Sequence, residues 1–372
     1  MRICFYAPFK PLGHPNPSGD LIIASGLYDF LVARGHQVLI ASDLRTRWIY
    51  LKPWRYPGIV LERLRASRRI RTFKADLWLS YHCYYKAPDL LGPGLSKKAA
   101  IPYCIFQGIY STKQRRRAKA MIGFCLNRHS LLAAERIFSN RAQDLKNLKR
   151  IIPPERLSYI RPGIFPEQFA FDREARHKIH KEWQMDGSPV IVSAAMFRPD
   201  VKTQGLVWML KTLAKLTADG TSFKLVIAGD GSERAPLTAL AEKLLPGRVL
   251  FIGKVARKKM YQFYSGGDMF AFPGIRESLG MVFLEAQSCG LPVVAFDNGG
   301  IPEVVQRDKT AFLTPSFDEE AFSEAVKRLL TDKEKRHAMG RAATRHVRDN
   351  HDLHRNYLQF EKILQEHVSA AE

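Results

Sequence analysis

The sequence is short of the features that mark disulfide scaffolds, membrane spans and dinucleotide enzymes. It has five cysteines, Cys4, Cys83, Cys104, Cys125 and Cys289, odd in number, scattered, and without a CxxC pair. That argues against a disulfide framework or a cysteine-based zinc site, and reduced thiols in the cytoplasm are expected. No run of about 18 apolar residues occurs, so no membrane-spanning helix is expected. The opening MRICFYAPFK has no long apolar region followed by a small-residue cleavage site. It reads as a first strand rather than a signal peptide. No GxGxxG follows that strand, where the chain reads KPLGHPNPSGD, and this argues against a Rossmann dehydrogenase. Acidic residues are scarce, 36 against 58 Lys and Arg, for a net charge of +22.

The shortage of acid is one-sided. Residues 1–170 hold 29 Lys and Arg against 10 Asp and Glu, whereas the remainder holds 29 against 26. A basic field confined to one half points to a polyanionic partner: nucleic acid, anionic lipid or a phosphorylated sugar. No nucleic-acid recognition motif accompanies the charge, so no nucleic-acid partner is expected. Otherwise the composition, 46% hydrophobic and 25% charged, is that of a globular protein.

Strand, loop, helix and strand succeed one another from RICFYAP through LIIASGLYDFLVARGH to QVLIAS, with Leu21, Ala24, Leu27 and Leu31 at helical spacing. This is the opening βαβ unit of a doubly wound sheet. ADLWLSY, PYCIF, RIFSN and LSYIRPG continue the strands, and SPVIVSAA starts a second alternating cycle. The expected fold is α/β, with two Rossmann-like domains facing each other across a cleft. The domains are expected at 1–170 and 171–350, joined by the Pro- and charge-rich 162–188, with a terminal helix at 351–372 packing back on the first domain. Ligands of such sheets bind beyond the carboxyl ends of the strands.

The strongest chemical signal is RESLGMVFLEAQSCGLPVVAFDNGGIPEVV, which starts at Arg276. Glu277 ends a loop after the strand MFAFPG. Ser278, Leu279 and Gly280 open a helix whose first N–H groups have no intrahelical partner and so form an anion site, and Gly280 lets a phosphate approach the backbone. Glu285 lies about one and a half turns further on. A diphosphate between two carboxylates, with sugar on one side and ribose on the other, describes a nucleotide-sugar.

This segment resembles the E-x7-E signature of glycosyltransferase family 4, and Gly290 to Glu303 resemble the GxPVVAxxxGGxPE that completes it. The resemblance covers the C-terminal half well and the first half loosely. It implies the GT-B fold and a retaining hexosyltransferase that takes a UDP- or GDP-sugar as substrate, with no metal and no cofactor. Glu277 would contact the transferred sugar, Glu285 the ribose hydroxyls, and the backbone of Leu279 and Gly280 the diphosphate. Lys202 and Arg198, in MFRPDVKTQG, correspond to the family's Lys and Arg, which stabilise the leaving diphosphate. The usual spacing between them is five, and here it is four, with Phe197 at the expected place. The loop around Val255 would hold the base. Gly229, in IAGDG, serves either close backbone approach or a turn. No DxD metal motif occurs.

On the acceptor side, Gly19 resembles the family's glycine loop, with Ser18 where a second glycine is usual. Asp20 is either a helix cap or an acceptor contact. Gln107 stands where many members have a His, and it cannot act as acid or base. His82, after another strand, is the substitute candidate. Arg115, Arg116, Arg117 and Lys119 precede Met121, Ile122, Phe124 and Leu126, a pattern suited to an interfacial helix on anionic lipid, with Trp48, Trp54 and Tyr56 as aromatic anchors. Members that build lipopolysaccharide core or glycolipids sit on the inner face of the cytoplasmic membrane. A lipid-linked or polysaccharide acceptor in cell-envelope glycan synthesis is therefore expected. Two alternatives stay open, a catalytically silent nucleotide-sugar-binding protein of the same fold and a GT-B epimerase.

Overall fold

The computed structural model describes residues 1–15 and 19–369. They form two compact units, Met1–Arg161 together with the chain from His354 onward, and Pro162–Leu353. The sequence-based boundary near residue 170 lies inside the second unit.

The first unit is built on a six-stranded parallel sheet, β1 (Arg2–Tyr6), β2 (Gln37–Ser42), β3 (Leu77–Cys83), β4 (Tyr103–Gly108), β5 (Arg136–Ser139) and β6 (Leu157–Tyr159). Its spatial order is β2-β1-β3-β4-β5-β6. β3 and β4 are buried on both faces, as a parallel sheet covered by helices requires.

The second unit has a parallel sheet of β7 (Val190–Ala194), β8 (Lys224–Ala228), β9 (Val249–Gly253), β10 (Met269–Ala271), β11 (Val293–Phe296) and β12 (Ala311–Thr314). The order is β12-β11-β10-β7-β8-β9. Each sheet reverses its winding once, between β1 and β3 in the first unit and between β7 and β10 in the second. Those reversals are where the carboxyl ends of two neighbouring strands open a crevice.

Residues 162–188, expected as a linker, belong to the second unit. Their helix Arg173–Glu182 is capped by Asp172, whose side chain accepts from Ala175 N. Phe169 and Trp183 are buried in that unit's core. Arg176 donates to the carbonyls of Ser265 and Gly267 and to Asp268. Two buried aromatics outweigh the polar composition that suggested a tether.

The last helix, Leu353–Ser369, packs on the first unit. Phe360 stands edge-on to Phe138 at 4.6 Å and to Phe106 at 5.2 Å, and Tyr357 meets Phe30 at 5.3 Å. Glu361 is ion-paired with Arg34 at 3.0 Å and hydrogen-bonded with His36 Nε2 at 2.8 Å. Tyr357, Phe360, Leu364 and Val368 are buried, each worth about 1.5–3 kcal/mol of removal from water. The five cysteines are unpaired, and only Cys125 is exposed. No helix among the described residues is long and apolar enough to cross a membrane.

Candidate active site

At the winding reversal of the second sheet, the loops after β7 and β10 meet. After β7, Phe197 is fully buried and packs edge-on against Phe251 at 5.9 Å. Its backbone is tied to the next loop, Phe197 N donating to Asp230 O and Glu233 N to Phe197 O. Gly229 and Gly231 have positive φ, and a Cβ on either would meet the carbonyl of Ala195 or Phe197 at about 2 Å. The close approach that Gly229 serves is therefore to the protein's own backbone. With Phe197 pinned inward, Arg198 is exposed. Its carbonyl accepts from Thr203 Oγ1 at 2.6 Å. Asp200 caps helix Val201–Ala218 by accepting from Lys202 N, which places Lys202 in the first turn. Lys202 Nζ then lies 3.7 Å from Glu277 Oε2.

Glu277 is held by the segment that follows β11. Its carbonyl accepts from Gly300 N at 3.0 Å. A Cβ on Gly299 would lie 2.1 Å from the Glu277 carbonyl oxygen, and one on Gly300 2.0 Å from that of Ser278. The glycine pair is thus what allows the carboxylate loop to lie flat against its neighbour. Glu277 Oε1 accepts from Ser278 N at 3.1 Å. Gly280, at φ +67°, precedes helix Met281–Ser288, and no side chain caps that helix. Its leading amides are left for a ligand. Ser278 is exposed, Leu279 half-buried and Gly280 buried at this opening.

Glu285 lies within that helix. It is buried, with Oε1 accepting from Arg257 Nη1 at 2.9 Å and Oε2 from the Tyr264 hydroxyl at 3.0 Å. Burial pushes its carboxyl above the ordinary value, opposed by the Arg257 charge and the two hydrogen bonds. Arg257 is half-exposed and lies over the Phe169 ring. Sequence reasoning missed Arg257 and Tyr264. Arg257 begins the run RKK, in which no residue stands out from a solvated loop charge. Val255 is half-buried and lines a hollow with Ile179 and Trp183.

The winding reversal of the first sheet holds the acceptor-side candidates. Gly19 begins helix Gly19–Ala33 and Asp20 lies in its first turn; Ser18 lies outside the described residues. Asp20 Oδ1 is 2.9 Å from His82 Nδ1. Burial tends to raise the Asp20 carboxyl, but the His82 hydrogen bond and charge, with Lys10, hold it below the usual aspartate value. His82 and Gln107 face each other across β3 and β4, between the paired residues Tyr81–Phe106 and Cys83–Gly108. Both have positive φ, 59° and 64°, a strained conformation for residues with a Cβ. Tyr84 stacks on His82 at 4.9 Å. Gln107 Oε1 is buried without a partner.

The basic cluster lies elsewhere on this unit. Arg115 and Arg116 lie in the turn Thr112–Arg116 and Arg117 precedes helix Ala118–Ala133. With Lys113 and Arg150 they line one shallow hollow. Lys119 Nζ sits 5.4 Å over the Trp48 ring. The apolar stretch divides: Phe124 is buried against Tyr110, while Met121 and Ile122 are half-exposed.

Residues 175–346 match the family described as "Glycosyl transferases group 1". Over 198 residues the chain is 33% identical to a GDP-mannose-dependent alpha-(1-6)-phosphatidylinositol monomannoside mannosyltransferase of Mycobacterium tuberculosis, covering 51% of each protein. The chain thus spans about half the length of that relative. Alpha-D-kanosaminyltransferase of Streptomyces kanamyceticus is 29% identical over 82% of this chain and 80% of its own. In structure, Anabaena HepE in complex with UDP superposes with a TM-score of 0.78 at 17% identity, over 98% of this chain and 100% of that one. The two parallel six-stranded sheets and the likeness to HepE show the GT-B fold, and within it residues 175–346, which hold Lys202 and Glu277, match the group 1 glycosyltransferases.

Proposed function

We propose that the protein transfers a hexosyl group from a nucleoside diphosphate sugar to a lipid-linked or polysaccharide acceptor, with retention at the anomeric carbon, at an anionic membrane surface. The observation that carries the reading is Lys202 Nζ beside Glu277 Oε2, next to an uncapped helix start. A cation and unpaired amides suit a departing diphosphate, and a carboxylate acceptor suits sugar hydroxyls. HepE's complex with UDP and the GDP-mannose dependence of the mycobacterial relative support a nucleotide donor.

In this reading Lys202, Arg198 and the amides of Leu279 and Gly280 neutralise the diphosphate as the anomeric C–O bond breaks. The new C–O bond forms on the same face. The leaving phosphate oxygen takes the acceptor's proton, so the step needs no protein nucleophile or metal. Glu277 orients the sugar. Glu285 keeps one acceptor position on each oxygen beyond its Arg257 and Tyr264 bonds for the ribose hydroxyls. Asp20, His82 and Gln107 serve the acceptor or the transferred sugar.

The membrane reading rests on the first unit. Helix Tyr56–Phe73 buries Ala66 and Ile70. It turns Val60 (60% exposed), Leu61 and Leu64 (58%) outward, and Trp54 just before it is 73% exposed. Positions 60, 61 and 64 share one helical face. Arg63, Arg65 and Arg68 flank them. An apolar face rimmed with arginine suits the headgroup boundary of anionic lipid, and Arg115, Arg116, Arg117 and Lys119 extend the basic field. The relative named for phosphatidylinositol monomannoside supports a lipid acceptor.

A panel of UDP-, GDP- and ADP-sugars, screened by thermal shift and slow donor hydrolysis, tests the reading. Glu277→Ala is expected to keep nucleotide binding and lose turnover. Normal sugar transfer by that variant would overturn the assignment, and thermal stabilisation by donor without turnover on lipid extracts would favour a silent binding protein.

A further inference from the structure

A second hollow, of about 640 Å³, lies at the opposite edge of the second unit's sheet. Its walls include Ser188 and Pro189 before β7, Gly267 and Asp268 before β10, and Gly290 and Leu291 before β11. These are the amino ends of the strands, whereas Glu277 and Lys202 follow carboxyl ends. Helix Lys333–Asn350 closes the other side with Lys333, Arg336, His337 and Arg341.

Its charge is unbalanced. Asp268 is the one carboxylate among the lining residues, and both its oxygens are taken, by Arg176 Nη2 and by Val190 N, each at 2.8 Å. Arg176 is spent on that contact and on two carbonyls. Lys333 and Arg341 make no ion pair among the described residues, and with His337 they repeat every fourth position along one helix face. Arg336 is buried, 7% exposed; its Nη1 donates to the Leu329 and Leu330 carbonyls while Nε has no partner. Lys333, Arg336 and Arg341 thus line one concave surface whose single carboxylate is already paired.

We propose that this hollow binds a small phosphomonoester the size of a sugar phosphate, at a site separate from the donor site. A dianion answers the Lys333 and Arg341 charges with charge-assisted hydrogen bonds, and the volume is that of a small-molecule pocket. The site has a direct mechanical link to the donor side. Helix Met281–Ser288 begins at the uncapped Gly280 and ends just before the hollow, about 12 Å away at 1.5 Å per residue. Gly340 packs so closely on its exit that a Cβ would lie 2.2 Å from the Gly290 carbonyl oxygen. The proposal does not depend on the glycosyltransferase reading, because it concerns binding alone.

Isothermal titration of the full chain with glucose 6-phosphate tests it, with glucose as the uncharged control. Wild type and Lys202→Ala are expected to bind the phosphate alike and neither to bind glucose, while Lys333→Ala/Arg341→Ala, which removes both charge-assisted contacts, weakens binding by at least about tenfold. Unchanged binding in the double variant overturns the proposal. So does loss of binding in Lys202→Ala, which would place the phosphate in the donor site, and so does no binding to wild type. Should the double variant lose its thermal unfolding transition, the two single variants give the reading.

Discussion

The two units share a parallel six-stranded plan and differ in almost everything that plan carries. The first holds 31 Lys and Arg against 12 Asp and Glu, the second 27 against 24. Yet the cation beside the candidate sugar-binding carboxylate is in the nearly neutral unit. The excess charge of the chain therefore lies in the unit that does not hold Lys202 and Glu277. The second unit places single charges by close backbone packing, Lys202 through the Asp200 cap and Glu277 through Gly299 and Gly300. The first unit spreads its charge over exposed helices and holds Asp20 against His82 where its sheet reverses its winding. Precise positioning and diffuse field are separate uses of charge, and here they are assigned to separate units.

Substitutions can break that division. The largest effect is expected from Lys202→Ala, which should lower kcat about 10²- to 10³-fold, the range seen for removal of one charge-stabilising donor. Steady-state kinetics with the active donor checks it, and a change confined to membrane partitioning would contradict it. Next is Phe360→Ala, expected to destabilise the first unit by about 3–5 kcal/mol. Calorimetry should show one transition moving while the second unit's stays. A smaller effect, about tenfold, is expected from Val60→Glu/Leu64→Glu on partitioning to phosphatidylglycerol vesicles. Donor hydrolysis in solution should be unchanged, and equal sedimentation with and without the substitutions would remove the membrane face from the account. The smallest concerns Asp20. Its carboxyl is held below the ordinary 3.8 in the folded chain, so its contribution is present above that value and lost as pH falls through the lower folded one. Asp20→Asn should flatten this part of the acid-unfolding curve, with the variant less stable than wild type at neutral pH and the difference vanishing in acid, as denaturant unfolding across pH would show. A third of the side chain is exposed, which keeps the effect under about 1 kcal/mol.

The alternation of strands and helices was legible because each β-run is short, apolar and bounded by turns. The carboxylate loop was legible because its spacing, the helix start and the following GLPVVA and GG-containing segments stand together in 28 residues or so of chain. What stayed hidden depended on pairing across the sheet. Asp20 and His82 are 62 positions apart in sequence, and only the adjacency of β1 and β3 brings them together. Tyr264 and Arg257 reach Glu285 from another loop and helix, and neither has a local signature. The segment 162–188 misled because proline and charge dominate it, while the two residues that dock it, Phe169 and Trp183, are a small fraction of its length.

The docking of the terminal helix has a consequence for synthesis. Phe106 and Phe138 precede the second unit in the chain, but the ring that covers them, Phe360, is made only after that unit. Domains generally close as units as they leave the ribosome, so the later-encoded unit, Pro162–Leu353, completes its core before the earlier one can. A nascent chain arrested before residue 353 is expected to resist protease in the second unit and yield in the first, and equal protection of both would contradict that order.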